Sequence, residues 1–183
     1  MSPETLPTTA PDALERARAV RLMVFDVDGI LTDGRLFLTD SGEEMKAFHT
    51  LDGQGLKMLR ESGIEIAILT ARQSRVVARR ATELGIAHVR QGAADKRAGF
   101  EDILGNCGLQ AANAGYIGDD LVDLPVLTRC AFAASVPEAP EAIRSRVHYV
   151  TRAAGGHGAA REVCEFILRA QGRFEQALAR YLV

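Results

Sequence analysis

The sequence predicts an α/β domain built on a doubly wound, mostly parallel sheet with a small β-hairpin insert, and three observations carry that prediction. Short apolar runs alternate with amphipathic segments from Leu14 onward, the pattern of strands and helices in turn. Glycines follow the amphipathic segments at Gly63, Gly85 and Gly108, where a residue of positive φ commonly ends a helix. The chain has 183 residues, 47% of them hydrophobic. That length buries roughly 70% of the unfolded surface in one core and leaves no room for a second full domain.

The elements follow in order. Residues 1–12, MSPETLPTTAPD, are polar and proline-rich and are expected to form a disordered arm, with the domain occupying 13–183. The run Arg21 to Asp26 is apolar on both faces, as a strand buried between two helical layers must be. A hairpin is expected over about 35–48, because Thr39-Asp40-Ser41-Gly42 is a polar turn cluster between two β-prone arms, Arg35 to Leu38 and Glu44 to Phe48. Helix and strand then alternate: helix Gln54 to Ser62, strand Ile64 to Thr70, helix Ser74 to Leu84, strand Ala87 to Arg90, helix Lys96 to Cys107 and strand Ala114 to Ile117. Helix Leu121 to Arg129, strand Cys130 to Ala134, helix Pro137 to Arg144 and strand His148 to Val150 continue the series. A C-terminal tail, about 151–183, carries helical segments at Gly158 to Gln171 and Phe174 to Leu182, separated at Gly172.

Composition excludes several function classes. Lys and Arg total 22 against 24 Asp and Glu, a formal charge of −2, so neither nucleic acid nor an anionic membrane surface is an expected partner. Cys107, Cys130 and Cys164 show neither Cys-x-x-Cys spacing nor histidines at zinc-ligand intervals; they read as buried thiols in a reducing, cytoplasmic setting. No apolar run approaches the roughly 20 residues that span a bilayer, and the N-terminus lacks the basic and apolar regions of a signal peptide.

The chemistry is concentrated at strand ends, where open parallel sheets bind ligands. In VFDVDGILTDG, Val24 to Gly34, an apolar strand ends in Asp26 and Asp28 followed by Gly29. Two such carboxylates can hold a hard cation such as Mg²⁺, which prefers oxygen ligands and shares them with phosphate; the plainer reading is an Asp-Gly turn. Thr70 closes a later strand, Lys96 opens a helix after another, and Gly118-Asp119-Asp120 with Asp123 follows a third. Each has a plainer reading, as a cap, a solvated cation or a set of helix-start acids. Four such groups in order at four strand ends argue for one phosphate-handling site.

That order resembles the motifs of the haloacid dehalogenase superfamily, Rossmann-like phosphatases, over essentially the whole chain after the arm. The resemblance implies that Asp26 is the nucleophile, Asp28 the general acid and base, and Thr70 and Lys96 the groups that orient and neutralise phosphoryl oxygens. It implies that Asp26, the Asp28 backbone carbonyl and Asp119 hold Mg²⁺, with Asp120 and Asp123 supporting the metal from close by. The segments DVDGILTDG, KAFHTLDGQG, ILTAR, QGAADK, YIGDDLVDLPVL and VTRAAGGHGAAREVCEFILRAQG are similar to those of cap-less members. Those members act on a small-molecule sugar-acid phosphate of the eight-carbon 3-deoxy type, in lipopolysaccharide biosynthesis, and assemble as homotetramers. A nine-carbon sugar-acid phosphate is the alternative. On the same basis Arg72 and Arg161 are candidate substrate-binding residues, and the Gly155-Gly156-His157-Gly158 segment is expected to be a mobile piece closing over the substrate. Leu51 departs from the pattern, standing where such members carry Arg, and leaves the exact sugar acid open. A phospho-acceptor receiver domain would place its acidic pair and its phosphorylated Asp on different strands, so the order here disagrees with it; a non-catalytic scaffold would not need the full set.

Overall fold

The computed structural model describes residues 9–182. Its elements are α1 (Ala13–Arg18), β1 (Leu22–Phe25), β2 (Phe37–Leu38), β3 (Glu44–Met45), α2 (Thr50–Glu61), β4 (Glu65–Leu69), α3 (Arg75–Leu84), β5 (His88–Arg90) and α4 (Lys96–Cys107). They continue with β6 (Ala114–Ile117), α5 (Leu124–Leu127), β7 (Phe132–Ser135), α6 (Glu141–Arg144), β8 (Tyr149–Val150), α7 (Ala159–Ala170) and α8 (Phe174–Ala179). Six strands form one parallel sheet in the order β5-β4-β1-β6-β7-β8, while β2 and β3 pair antiparallel as a separate hairpin.

The chain lays β4 and β5 on one side of β1, then crosses to place β6, β7 and β8 on the other. The order therefore reverses at β1, and the crevice beyond the carboxyl ends of β4, β1 and β6 is where such sheets bind ligands. All four residues of β1 are buried, as are all four of β6 and of β7, because helices cover both faces. Helices α1 and α2 pack against α7 on one face, whereas α4 and α5 pack together on the other. Tyr116, Phe25, Phe100 and Phe132 are the largest fully buried side chains, and each burial of that kind contributes about 1.5–3 kcal/mol.

Local chemistry sets the helix ends. Ser74 and Asp95 accept the N–H groups of Val77 and Ala98 at the starts of α3 and α4, and Gly85 and Gly108 end those helices at φ 66° and 63°. Helix α4 occupies the residues expected of it. Helix α2 begins earlier than expected, at Thr50, because His49 Nδ1 accepts the Leu51 N–H as a cap and the second hairpin arm is only two residues long. The helix expected over Leu121 to Arg129 is a 3₁₀ turn, Leu121–Asp123, followed by the four-residue α5. Helix α6 starts only at Glu141, after Pro140. Helix α1 was not expected from periodicity; with six residues it is too short to show one. Of the disordered arm expected over 1–12, residues 1–8 lie outside the described residues. Thr9 instead bridges Tyr149, and the Ala10 N–H donates to the His148 carbonyl at 2.8 Å, so the end of that arm is held against β8.

Candidate active site

Beyond β1 the chain turns sharply, with the N–H groups of Ile30, Leu31 and Thr32 all directed at the Val27 carbonyl (2.9–3.2 Å). This turn presents Asp26 and Asp28 at the crevice. Gly29 has φ 85°, and a Cβ there would lie 2.1 Å from Asp119 Oδ2. Only glycine lets the β1 and β6 loops mesh. Thr70, following β4, is 3% exposed, held through its N–H to the Arg90 carbonyl and its own carbonyl to the Ala93 N–H.

Lys96, the first residue of α4, is 2% exposed in its side chain and spans the floor of the crevice. Its Nζ lies 2.7 Å from Asp26 Oδ2 and 2.5 Å from Asp123 Oδ1, and 3.3 Å from the Tyr116 hydroxyl. Asp123 is fully buried. Its Oδ1 accepts from Lys96 and Tyr116, and its Oδ2 accepts from the Asp119 and Asp120 N–H groups at 3.0 and 3.1 Å. Asp120 caps the following turn with its own carboxylate, accepting from the Leu121 N–H. Above this floor, a cavity of about 290 Å³ is lined by Asp26, Asp28, Thr70, Arg72, Lys96, Asp119 and Asp120, among others. A larger groove between the hairpin and the start of α3 contains none of these residues.

Charge in this site is unbalanced. Burial, reinforced by the Asp123 charge and opposed by Lys96, pushes Asp26 up to about 7. Burial together with Asp26 and Asp123 does the same to Asp119, again to about 7. For Lys96, burial works against the charged form, but Asp26 and Asp123 outweigh it and hold the ammonium above its ordinary range. Tyr116 is driven far up by burial and by Asp123. Asp26, Asp119 and Asp123 each offer an oxygen within 4.8 Å of the others, an oxygen-only donor set suited to a hard divalent ion. Asp123 takes two protein donors on each oxygen, whereas Asp26 takes one on each, from the Val27 N–H and from Lys96; Asp26 and Asp119 therefore keep lone pairs for a cation and Asp123 braces them.

Most of the residues expected to act together thus share one cavity, with Asp123 bracing them from beneath it, and two expectations depart. Arg161 does not line it: its Nε donates to Glu165 at 2.6 Å and its N–H to Asp52 at 2.8 Å, so within this chain its guanidinium is committed to its own helix. The expected mobile segment is packed down. A Cβ on Gly155 would lie 1.8 Å from the Gly29 carbonyl, one on Gly156 would lie 2.5 Å from the Thr32 backbone, and the Gly156 N–H donates to the Ile30 carbonyl. These glycines let two backbones touch rather than swing. Arg72 does reach the site, with Nε 3.7 Å from Asp28 Oδ2.

Sequence reasoning missed Lys46, Tyr116 and Asp52. Lys46 pairs with Asp28, Tyr116 with Asp123, and Asp52 binds the N–H groups of Gly158 and Arg161. A signal existed for the first: Glu44 and Lys46 are two apart on an extended arm and so share a face.

No protein-family model matches the chain. The 3-deoxy-D-manno-octulosonate 8-phosphate phosphatase KdsC of Escherichia coli is 42% identical over 166 residues, covering 91% of this chain and 88% of that protein. A probable YrbI family phosphatase from Pseudomonas syringae pv. phaseolica superposes with a TM-score of 0.92 at 48% identity, covering 94% of this chain and 98% of that one. The 3-deoxy-D-manno-octulosonate 8-phosphate phosphatase of Moraxella catarrhalis, solved in complex with magnesium ion, phosphate ion and KDO, gives 0.90 at 43% identity, with 93% and 98% covered. Sheet order and the placement of four acidic, hydroxyl and cationic motifs at one edge define the class, the haloacid dehalogenase superfamily of hydrolases. Within that class, the chain belongs to the 3-deoxy-D-manno-octulosonate 8-phosphate phosphatase family.

Proposed function

We propose that the protein is a Mg²⁺-dependent phosphomonoesterase that hydrolyses 3-deoxy-D-manno-octulosonate 8-phosphate to the free sugar acid and phosphate. The observation that carries this reading is the floor of the crevice, where buried Lys96 contacts Asp26 while Asp28, Thr70 and Asp119 face the same cavity. Two of the relatives named above, those of Escherichia coli and Moraxella catarrhalis, are phosphatases of that ester by name, and the second was solved with magnesium, phosphate and KDO.

Asp26 and Asp119, with the Asp28 backbone carbonyl, would hold the metal, whose bound charge offsets the acidic excess and that of the phosphoryl group. Asp26 attacks phosphorus, forming an aspartyl phosphate as the bond to the sugar oxygen breaks. Asp28 gives its proton to that oxygen, then takes one from the water that attacks the aspartyl phosphate and releases inorganic phosphate. Thr70 and Lys96 hold phosphoryl oxygens in line, supplying the positioning and charge on which phosphoryl transfer depends. Arg72, half-exposed at the rim, is suited to the acid end of the substrate.

The setting is read as cytoplasmic, in lipopolysaccharide biosynthesis, and the assembly as a homotetramer. Leu36, Phe37, Leu38 and Met45 are exposed on a hairpin of two residue pairs, which is marginal in isolation and gains by burial against a second copy. Leu51 is exposed on the first turn of α2 and offers no cation where the resemblance expects Arg, so the chain length of the sugar acid is what the test must decide, a nonulosonate 9-phosphate being the second reading.

Phosphate release across a panel of sugar phosphates, with and without chelator, tests the reading, alongside mass by light scattering. The eight-carbon ester is expected to be preferred and the chelated enzyme inactive. Preference for the nine-carbon ester rejects the substrate, and metal-independent turnover rejects the mechanism. Asp26→Asn is expected to fold normally and to lose turnover by on the order of 10⁴-fold or more; substantial phosphate release from it would remove Asp26 from the nucleophile's role.

A further inference from the structure

We propose that Lys46, carried by the hairpin, is a positioning residue for the acid and base Asp28, fixing which carboxylate oxygen meets the substrate; this rests on the function proposed above. Lys46 Nζ binds Asp28 Oδ1 and lies 3.3 Å from Glu44 Oε1. Its side chain is 1% exposed, although the hairpin that bears it is among the more exposed parts of the molecule. Glu44 is anchored in turn: its Oε2 accepts from the Ser74 hydroxyl, and Ser74 caps α3 and donates its N–H to Gln91 Oε1 at 2.7 Å. A chain of four side chains thus ties Asp28 to the scaffold through the hairpin.

The physical need is specific. Asp28 sits on a turn and its side chain is 23% exposed, so its carboxylate has alternative rotamers and water to choose from. A charge-assisted bond from a cation shielded from solvent holds Oδ1, leaving Oδ2 on the side of Arg72 and the cavity. A general acid or base works only when placed within hydrogen-bond reach of the proton it moves. Charge alone would not require burial of Lys46, nor a second carboxylate to hold it.

The test compares two esters. An alkyl phosphate such as the sugar-acid ester needs Asp28 to protonate its leaving oxygen, whereas p-nitrophenyl phosphate expels p-nitrophenolate, a stable anion that needs no proton to depart. Lys46→Met is expected to lower kcat/KM for the alkyl ester by about 10²-fold and for the aryl ester by only a few-fold, with Lys46→Arg recovering most of the alkyl rate. Combining Lys46→Met with Asp28→Asn is expected to add little to Asp28→Asn alone, since both act through one carboxylate. Equal loss on both esters, or losses that multiply in the double variant, would overturn the proposal. Should Lys46→Met not fold, Glu44→Gln, which loosens Lys46, is expected to shift the ester ratio in the same direction, and an unmoved ratio overturns the role. A wild-type enzyme inactive on every ester would sink the proposed function itself, whereas an active one with an unmoved ratio sinks only Lys46.

Discussion

At the scale of single residues, the site is held by one saturated carboxylate. Asp123 takes four donors on two oxygens, fixing Lys96, Tyr116 and the start of the Asp119 loop together. Replacing it by Asn turns one oxygen into a donor aimed at donors and leaves Lys96 short of a partner. Breaking a buried pair in this way costs about 3–5 kcal/mol, so Asp123→Asn is expected to shift the urea midpoint strongly and to reduce turnover although it does not face the cavity. A midpoint within error of wild type would show the network to be dispensable. Asp26, Thr70, Lys96 and Asp119 were legible in the sequence because each stands directly at a strand or helix end, where local pattern predicts position. Lys46 was harder to read, because its partner Asp28 lies 18 residues away on another element, and Tyr116 was hidden inside an apolar strand although Asp123 is only seven residues on. Arg161 departs for a local reason that helical spacing does encode: its side chain pairs with Glu165, one turn away.

At the scale of elements, the sheet and its order were legible from the strand-helix alternation, while the short connections were not. Four-residue helices such as α5 and α6 have no period to read, and the onset of α2 depends on His49 acting as a cap. Asp52 shows how elements are joined. Buried in the first turn of α2, it accepts the N–H groups of Gly158 and Arg161 at the start of α7, a helix whose own N-cap is glycine. Burial raises its pKa against those donors. Asp52→Ala strands these N–H groups and is expected to destabilise the protein by about 2 kcal/mol in chemical denaturation, with Asp52→Asn losing less; equal stability would mean water replaces the cap. His148, next to β8, gives a pH signature. Its Nδ1 accepts the Ala133 N–H at 2.8 Å, and burial, aided by Arg16 and opposed by Asp12, lowers its pKa from 6.5. The unfolded chain therefore takes up the proton first. The neutral ring's contribution is complete above about pH 6.5 and is lost as pH falls through the lower folded value. Melting curves between about pH 7 and pH 5 are expected to fall more steeply for wild type than for His148→Asn, and parallel slopes would refute the assignment.

At the scale of the whole molecule, acidic groups outnumber cations at the crevice, Asp26, Asp28, Asp119 and Asp120 against Arg72 and Lys96, and this makes stability depend on a bound ion. With the raised carboxylates Asp26 and Asp119, Mg²⁺ is expected to raise the melting temperature by mass action, worth about 2.7 kcal/mol at a hundredfold excess over Kd. Asp119→Asn is expected to abolish most of that gain, and calorimetry showing an undiminished shift would place the ion elsewhere. The order β4-β1-β6 at the centre of the sheet has a wider consequence. Its pairings join Leu22 to Glu65 on one side and to Ala114 on the other, spans that slow parallel sheets in folding. No fragment ending before β6 can assemble the catalytic groups, because Asp119 and Asp123 follow that strand, so a nascent chain stays inert until most of it has been synthesised.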